Sequence, residues 1–382
     1  MTAVFVPKET LAGETRVAAT PETVGKLAKD GLEVAVEAGA GAASWFADAA
    51  YEKAGARVVP AAEADAAWGA ADAVLVVRPP EAERARRLRA GAILVGLLAP
   101  YKSADLVRAL AEGGVSALAL ELVPRISRAQ AIDALSSQAS IAGYKAVLLA
   151  ASRLGRYFPL LMTAAGTIPP SRVVIMGAGV AGLQAIATAK RLGAVVEVSD
   201  IRPAVKEQVE SLGGKFIELP MQESGEGAGG YAREMGEEFL RRQREIVTRH
   251  LSAANVVITT ALIPGKPAPR LITAEMVAAM RPGAVIVDLA VEQGGNCELS
   301  RADEEVVEGG VTILAPSNLP ATLPEDASTL YARNVLALLQ LLEKEGQLAL
   351  DLEDEVVAGS LLTHGGRIVH EPTAQALQEV AK

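Results

Sequence analysis

The segment Arg172-Val-Val-Ile-Met-Gly-Ala-Gly-Val-Ala-Gly-Leu183 carries an apolar run directly into Gly177, Gly179 and Gly182. A strand entering such a turn and leaving as a helix is suited to hold a pyrophosphate. The first glycine permits the tight turn, the second lets the backbone approach the phosphates, and the third lets helix pack on strand. Ala178 and Val180 supply the intervening backbone, and the helix N-terminus faces the negative charge with unpaired N–H groups. The next apolar run ends at Asp200, 18 residues beyond Gly182, where a carboxylate can take both hydroxyls of a ribose. The pairing of glycine turn and acid implies a dinucleotide. An acid there also repels a 2′-phosphate, which favours NAD(H) over NADP(H). Arg202 pulls the other way, since an arginine can accept that phosphate; NAD is the reading kept.

Four further segments carry residue types that could serve such a site. Thr259-Thr-Ala-Leu-Ile-Pro-Gly265 follows a strand, so Thr260, Ala261 and Leu262 should lie at the carboxyl edge of the sheet, beside the cofactor. Asp288-Leu-Ala-Val-Glu292 follows the next strand; either segment could equally be an ordinary connection. Gly225-Glu-Gly-Ala-Gly-Gly-Tyr231 reads as a lid closing with Tyr231 or as an unstructured connection. Between the two halves, Arg125, Gln130, Asp133 and Ser136 are polar groups spaced to face a cleft, or to cap the helix that follows.

These groups need a scaffold. Ala3–Val6, Glu33–Glu37, Ala73–Val77 and Ala92–Leu97 read as strands, alternating with helices at Pro21–Asp30, Phe46–Ala54 and Ala82–Ala90 or Ala104–Gly113. Thr20 before Pro21 has the chemistry of a helix cap. A long helical stretch runs from Ser127 to about Arg156. Six more strands follow, at Val173–Met176, Val195–Val198, Lys215–Glu218, Val256–Thr259, Val285–Asp288 and Val311–Leu314, and then a helix over Leu330–Glu343. Strand–helix alternation predicts an α/β fold of two Rossmann-like domains with parallel sheets separated by a cleft. The tail around His364-Gly-Gly366 reads as a hairpin too small to fold alone. It should return to the first domain, which makes that domain discontinuous and leaves two helices bridging the cleft. The expected division is 1–126 with 321–382, a cleft loop at 127–135, and a nucleotide domain at 136–320.

Composition narrows the function classes. Of 382 residues half are hydrophobic but only 3% aromatic, so the core rests on Ala, Val, Leu and Ile. Asp and Glu outnumber Lys and Arg by 46 to 37, which argues against a nucleic-acid partner. Cys297 is the single cysteine, excluding an internal disulfide and a cysteine-rich metal site; no metal is expected. No basic start with an apolar run is present, and no apolar stretch reaches the ~18 residues that a membrane span needs. A soluble, cytoplasmic chain is expected.

Lys8-Glu9 with Glu14-Thr-Arg-Val-Ala-Ala-Thr-Pro21 resembles the opening of the alanine dehydrogenase and NAD(P) transhydrogenase superfamily. Arg125–Ser136, Gly177–Gly182, Gly229-Gly-Tyr-Ala-Arg-Glu-Met-Gly236 and Thr259–Pro269 resemble the NAD(H)-binding component of proton-translocating NAD(P) transhydrogenase in particular. The resemblance implies that Arg125, Asp133 and Ser136 fix the nicotinamide, that Gln130 reaches toward NADP(H) on a partner, and that Tyr231 closes over bound nucleotide. It further implies a homodimer, a membrane-embedded proton-channel subunit and an NADP(H)-binding beta subunit. The chain would then sit at the inner face of the plasma membrane through those partners and turn over only with them. An alanine dehydrogenase-like amino-acid dehydrogenase and a non-enzymatic NAD sensor are the alternatives. Against the first, Leu97 stands at the family's histidine position and Arg78 at its lysine position, although Arg16 is present. A leucine moves no proton.

Overall fold

A computed structural model describes residues 2–218, 237–263 and 265–380. The chain divides into two compact units, Met1–Gln138 with Ala321–Lys382, and Ala139–Pro320. In chain order the first unit begins with β1 (Ala3–Val6), α1 (Pro21–Lys29), β2 (Glu33–Glu37), α2 (Asp48–Lys53), β3 (Arg57–Val59) and α3 (Ala64–Ala70). It continues with β4 (Ala73–Leu75), α4 (Ala82–Ala85), β5 (Ile93–Gly96), α5 (Ala104–Glu112) and β6 (Ser116–Ala119). These strands pair in the order β6-β5-β4-β1-β2-β3, all parallel, because each connection crosses over through a helix or turn. Two of them had no clear apolar run to announce them. β3 is a three-residue edge strand, and β6 is built from Ser116-Ala-Leu-Ala119, small side chains buried throughout.

The second unit opens within α6 (Ala134–Arg153) and holds an exposed hairpin, β7 (Leu161–Thr163) and β8 (Gly166–Ile168). Then come β9 (Arg172–Met176), α7 (Val180–Arg191), β10 (Val195–Ser199), α8 (Lys206–Ser211), β11 (Lys215–Phe216) and α9 (Glu237–Ala253). β12 (Val256–Thr259), α10 (Ala274–Ala278), β13 (Val285–Asp288), β14 (Glu305–Glu308) and β15 (Val311–Leu314) complete it. The sheet order is β11-β10-β9-β12-β13-β15-β14, parallel except for the edge strand β14. Order reverses between β9 and its neighbours β10 and β12, the position where ligands bind such sheets. Val173–Met176 and Val256–Thr259 are buried on both faces, as a helix-covered parallel sheet demands.

The chain then returns to the first unit through α11 (Pro324–Leu342), β16 (Glu343–Lys344), β17 (Gln347–Leu348) and α12 (Glu355–Ser360). β18 (Leu361–His364), β19 (Arg367–Ile368) and α13 (Glu371–Val380) end it. β18 pairs antiparallel with both β19 and β6, so the tail extends the first sheet.

Two expected features take a different local form. Residues 127–135 are not all loop. Ser127–Ile132 form a 3-10 helix, and Asn334 on α11 holds this stretch by donating to the Ala131 carbonyl at 2.8 Å. Nor do two long helices cross between units. α6 does, but α11 lies wholly in the first unit, and the second crossing falls in the short turn Leu319–Thr322. Pro324, at the first position of α11, keeps the helix from extending backward. Among the described residues no helix is long and apolar enough to cross a membrane.

Candidate functional site

Gly177 ends β9 at φ +104°, a backbone conformation that costs a side-chain-bearing residue energy. A Cβ there would lie 2.6 Å from Thr260 Oγ1. At Gly182 a Cβ would lie 1.9 Å from the Gly177 carbonyl oxygen, so the first turn of α7 rests directly on the glycine turn. Gly179 is different: its φ is −76°, and open space surrounds the place a Cβ would take. It is the N-cap residue of α7 and provides no side-chain cap. The exposed start of a 12-residue helix thus has no side-chain cap for its first N–H groups. These features fit a pyrophosphate.

Asp200 stands just past β10 and is 9% exposed. Its Oδ2 accepts from Ala178 N at 2.7 Å, which braces the glycine turn. Arg202 supplies the other bonds, from its backbone N and Nε to Oδ1 and from its Nη2 to Oδ2, at 2.9, 3.0 and 2.9 Å. The acid does not stand open toward a ribose. Each oxygen already accepts two bonds, its ordinary capacity. Thr260, Ala261 and Leu262 follow β12, and the first two border the same turn, with Thr260 Oγ1 donating to the Gly177 carbonyl at 3.1 Å. The structure therefore brings together Gly177, Ala178, Gly179, Val180, Gly182, Asp200, Thr260 and Ala261, with Leu262 next in the loop. Tyr231 and the glycines before it lie outside the described residues.

Asp288 ends β13 fully buried and accepts four hydrogen bonds. Thr259 Oγ1 and Ala290 N reach Oδ1 at 2.9 Å each, while Cys297 N and Ser300 Oγ reach Oδ2 at 3.0 and 2.7 Å. It fixes the loop 289–300 against the end of β12.

The remaining sequence candidates fall in the first unit. Asp133 Oδ1 accepts from Ser136 N at 2.9 Å and Oδ2 from Ser136 Oγ at 2.6 Å, an N-cap for α6. Both are half-buried, whereas Arg125 and Gln130 are exposed. Arg128 donates to both oxygens of Asp354, at 2.6 and 3.0 Å, and Asp354 in turn caps α12.

The carboxyl end of the first sheet is occupied by the chain itself. Glu9 accepts from Val77 N at 2.6 Å and Arg78 N at 3.4 Å, and Glu121 from Leu98 N at 3.1 Å and Ala99 N at 2.6 Å. Burial pushes the Glu9 carboxyl up to about 7, with the charge of Glu14 adding to the effect; burial raises Glu121 as well. Arg16 is 3% exposed and donates to both oxygens of Glu14, at 2.8 and 2.7 Å, and to Gln138 Oε1 at 2.9 Å. Leu97 packs against the apolar core.

Residues 5–142 match the family model "Alanine dehydrogenase/PNT, N-terminal domain" and residues 146–371 match "Alanine dehydrogenase/PNT, C-terminal domain". The chain belongs to the alanine dehydrogenase/PNT family. Within that family it is 51% identical over 380 residues to an NAD(P) transhydrogenase subunit alpha chain of Rhodospirillum rubrum, covering 96% of this chain and 97% of that one. The crystal structure of transhydrogenase from Sinorhizobium meliloti superposes with a TM-score of 0.86 at 48% identity, over 96% of this chain and 99% of the other. The alanine dehydrogenase branch is more distant. The enzyme of Mycolicibacterium smegmatis is 32% identical over 381 residues, spanning 98% of this chain and 96% of its own.

Two residues escaped the sequence reading. Gly143, inside α6, sits where a Cβ would come 2.1 Å from the Ala181 carbonyl of α7. A glycine within a helix of good formers costs about 1 kcal/mol, and that was its one signal. Asn296 had none.

Proposed function

We propose that this chain is the NAD(H)-binding component of a proton-translocating, Re/Si-specific NAD(P) transhydrogenase. It passes hydride directly between NAD(H) on its second unit and NADP(H) on a partner beta subunit, and it turns over only with its partners. The carrying observation is the uncapped α7 N-terminus beside Gly177 and Gly182, with Asp200 at the end of the next strand. The relatives named as transhydrogenase alpha subunits support the same reading.

The glycine turn and first turn of α7 would hold the pyrophosphate through backbone N–H groups. Asp200 would take the ribose hydroxyls in place of bonds it now accepts from Arg202, and its charge disfavours a 2′-phosphate. NAD(H) supplies the hydride donor or acceptor when bound. Arg125, Asp133 and Ser136 would orient the nicotinamide, and Gln130, exposed on its 3-10 turn, would reach the partner's nucleotide. Direct hydride exchange asks this chain for proximity, orientation and dryness, not for a proton donor. As in the family branch it resembles, the chain would form a homodimer held at the inner face of the plasma membrane by a membrane-embedded proton-channel subunit.

The alanine dehydrogenase relatives favour a second reading, reduction of an imino acid. The first unit speaks against it. Arg16, the cation for a substrate carboxylate, is engaged by Glu14, and Leu97 offers no proton. Mixing the chain with an NADPH-loaded partner subunit and following hydride transfer by stopped flow tests the proposal, with NADH, pyruvate and ammonia as the control. Transfer with the partner and silence in the control are expected; the reverse pattern overturns it. In parallel titrations NADH should bind far more tightly than NADPH.

A further inference from the structure

We propose that Asn296 is the positioning residue that sets the loop after β12 as one wall of the nucleotide site. The inference rests on the NAD(H) reading above and adds to it a side chain on a different strand connection.

Asn296 is fully buried, and its side-chain bonds go to backbone on the far side of that loop. Its Oδ1 accepts from Ala261 N at 3.0 Å, and its Nδ2 donates to the Ala261 carbonyl at 2.9 Å. This two-way pairing with one residue imitates a rung of β-ladder, made by a side-chain amide. The second Nδ2 hydrogen goes to the Pro269 carbonyl at 2.8 Å. Its own carbonyl accepts from Leu271 N and Ile272 N at 2.8 and 3.0 Å. One residue therefore ties down both ends of the segment that leaves β12 at Ala261 and returns at Pro269–Ile272.

Position matters here because that segment touches the glycine turn. A Cβ on Gly177 would lie 3.3 Å from Ala261 N and 2.6 Å from Thr260 Oγ1, leaving little slack between the two loops. Asn296 is held in turn by its neighbour: Cys297 N donates to Asp288, whose other oxygen holds Thr259. The order of dependence runs from Asp288 to the 296–297 backbone, from Asn296 to Ala261, and from Ala261 to the glycine turn. No other side chain of this size offers two N–H donors and a carbonyl acceptor at once. Aspartate keeps the shape but, when ionised, can only accept.

The test uses the full chain with three variants, Asn296→Ala, Asn296→Asp and Ser300→Ala, read by NADH fluorescence titration and by hydrogen exchange without nucleotide. Ser300→Ala removes one bond to Asp288 but none made by Asn296, so it reports a purely structural disturbance of the same network. In the wild type the Ala261 amide should exchange as slowly as those of β12. Asn296→Ala should weaken NADH about tenfold, in line with losing bonds that leave buried carbonyls unpaired, and should speed exchange over 261–270. Ser300→Ala should leave NADH affinity within about twofold. Asn296→Asp should bind poorly at pH 8, where its charge faces the Ala261 and Pro269 carbonyls with Asp288 close by, and should recover partly at pH 6 as a proton restores a donor. Rapid exchange of Ala261 in the wild type, or Asn296 variants that bind NADH like wild type, would overturn the proposal. A wild type that does not bind NADH would instead sink the functional reading, while the exchange data still judge Asn296.

Discussion

The two units present similar parallel sheets but start the helix after β1 and the helix after β9 in opposite ways. In the first unit α1 is closed by Thr20, which accepts from Thr23 N at 3.4 Å while Thr23 Oγ1 accepts from Thr20 N at 2.9 Å, a reciprocal cap. Around it Glu9 and Glu121 take up the backbone N–H groups of two strand-to-helix loops. In the second unit α7 starts at Gly179 with no side-chain cap and open space where a side chain would be. A helix start satisfied by its own chain has nothing left for an anion; one left bare has an N-terminus to offer. Of these two helix starts, one is closed by its own chain and the other is the proposed pyrophosphate site.

Three substitutions can break or sharpen that contrast. The largest effect concerns Glu9, whose carboxyl is raised from 4.5 to about 7 by burial. Between those values the folded chain holds a proton that the unfolded chain has released, so burial of Glu9 destabilises the fold increasingly as pH rises through this window. Relative to Glu9→Gln, the wild type should lose about 3 kcal/mol between pH 4.5 and 8, measured by urea unfolding. A pH-independent difference would remove the buried acid from the account. Next, Gln130→Asn shortens by one methylene the side chain proposed to reach a partner's nucleotide. NADH affinity should stay near normal while hydride transfer to an NADP(H)-loaded partner falls about 100-fold. Equal losses of affinity and rate would make Gln130 a cofactor ligand. Smallest, Thr20→Ala should cost about 1 kcal/mol of stability and leave NADH affinity unchanged.

The proposed binding edge can be read from the sequence because its parts are local. A strand, three glycines at fixed spacing and an acid at the end of the next strand lie within one βαβ unit, and the structure joins Ala178 to Asp200, the acid that the pattern assigns to a ribose. The first sheet was legible in its apolar strands and not in β3 or β6, whose short or small-residue runs carry little periodicity. β14, Glu305-Val-Val-Glu308, is a charged edge strand with the same difficulty. The supports of the site were hidden for another reason. Asn296 acts on Ala261 and Gly143 on Ala181, partners 35 and 38 positions away, and beyond the glycine inside a helix nothing in the types of those residues announces the contact. For Asp133 and Ser136 the sequence allowed a site or a cap, and the structure shows a cap.

The central claim is that the bare N-terminus of α7 is what makes the second unit a nucleotide site. Gly179→Asp addresses it directly, since φ is ordinary there and the Cβ meets nothing. An aspartate would cap α7 from within the chain and set a negative charge where the pyrophosphate should lie. Calorimetric titration with NADH is the measurement, accompanied by a thermal melt. The expected result is an affinity reduced by about 100-fold or more, roughly 2.7 kcal/mol, with a melting temperature equal to or above that of the wild type. A variant that folds as well as the wild type and binds NADH equally tightly would contradict it.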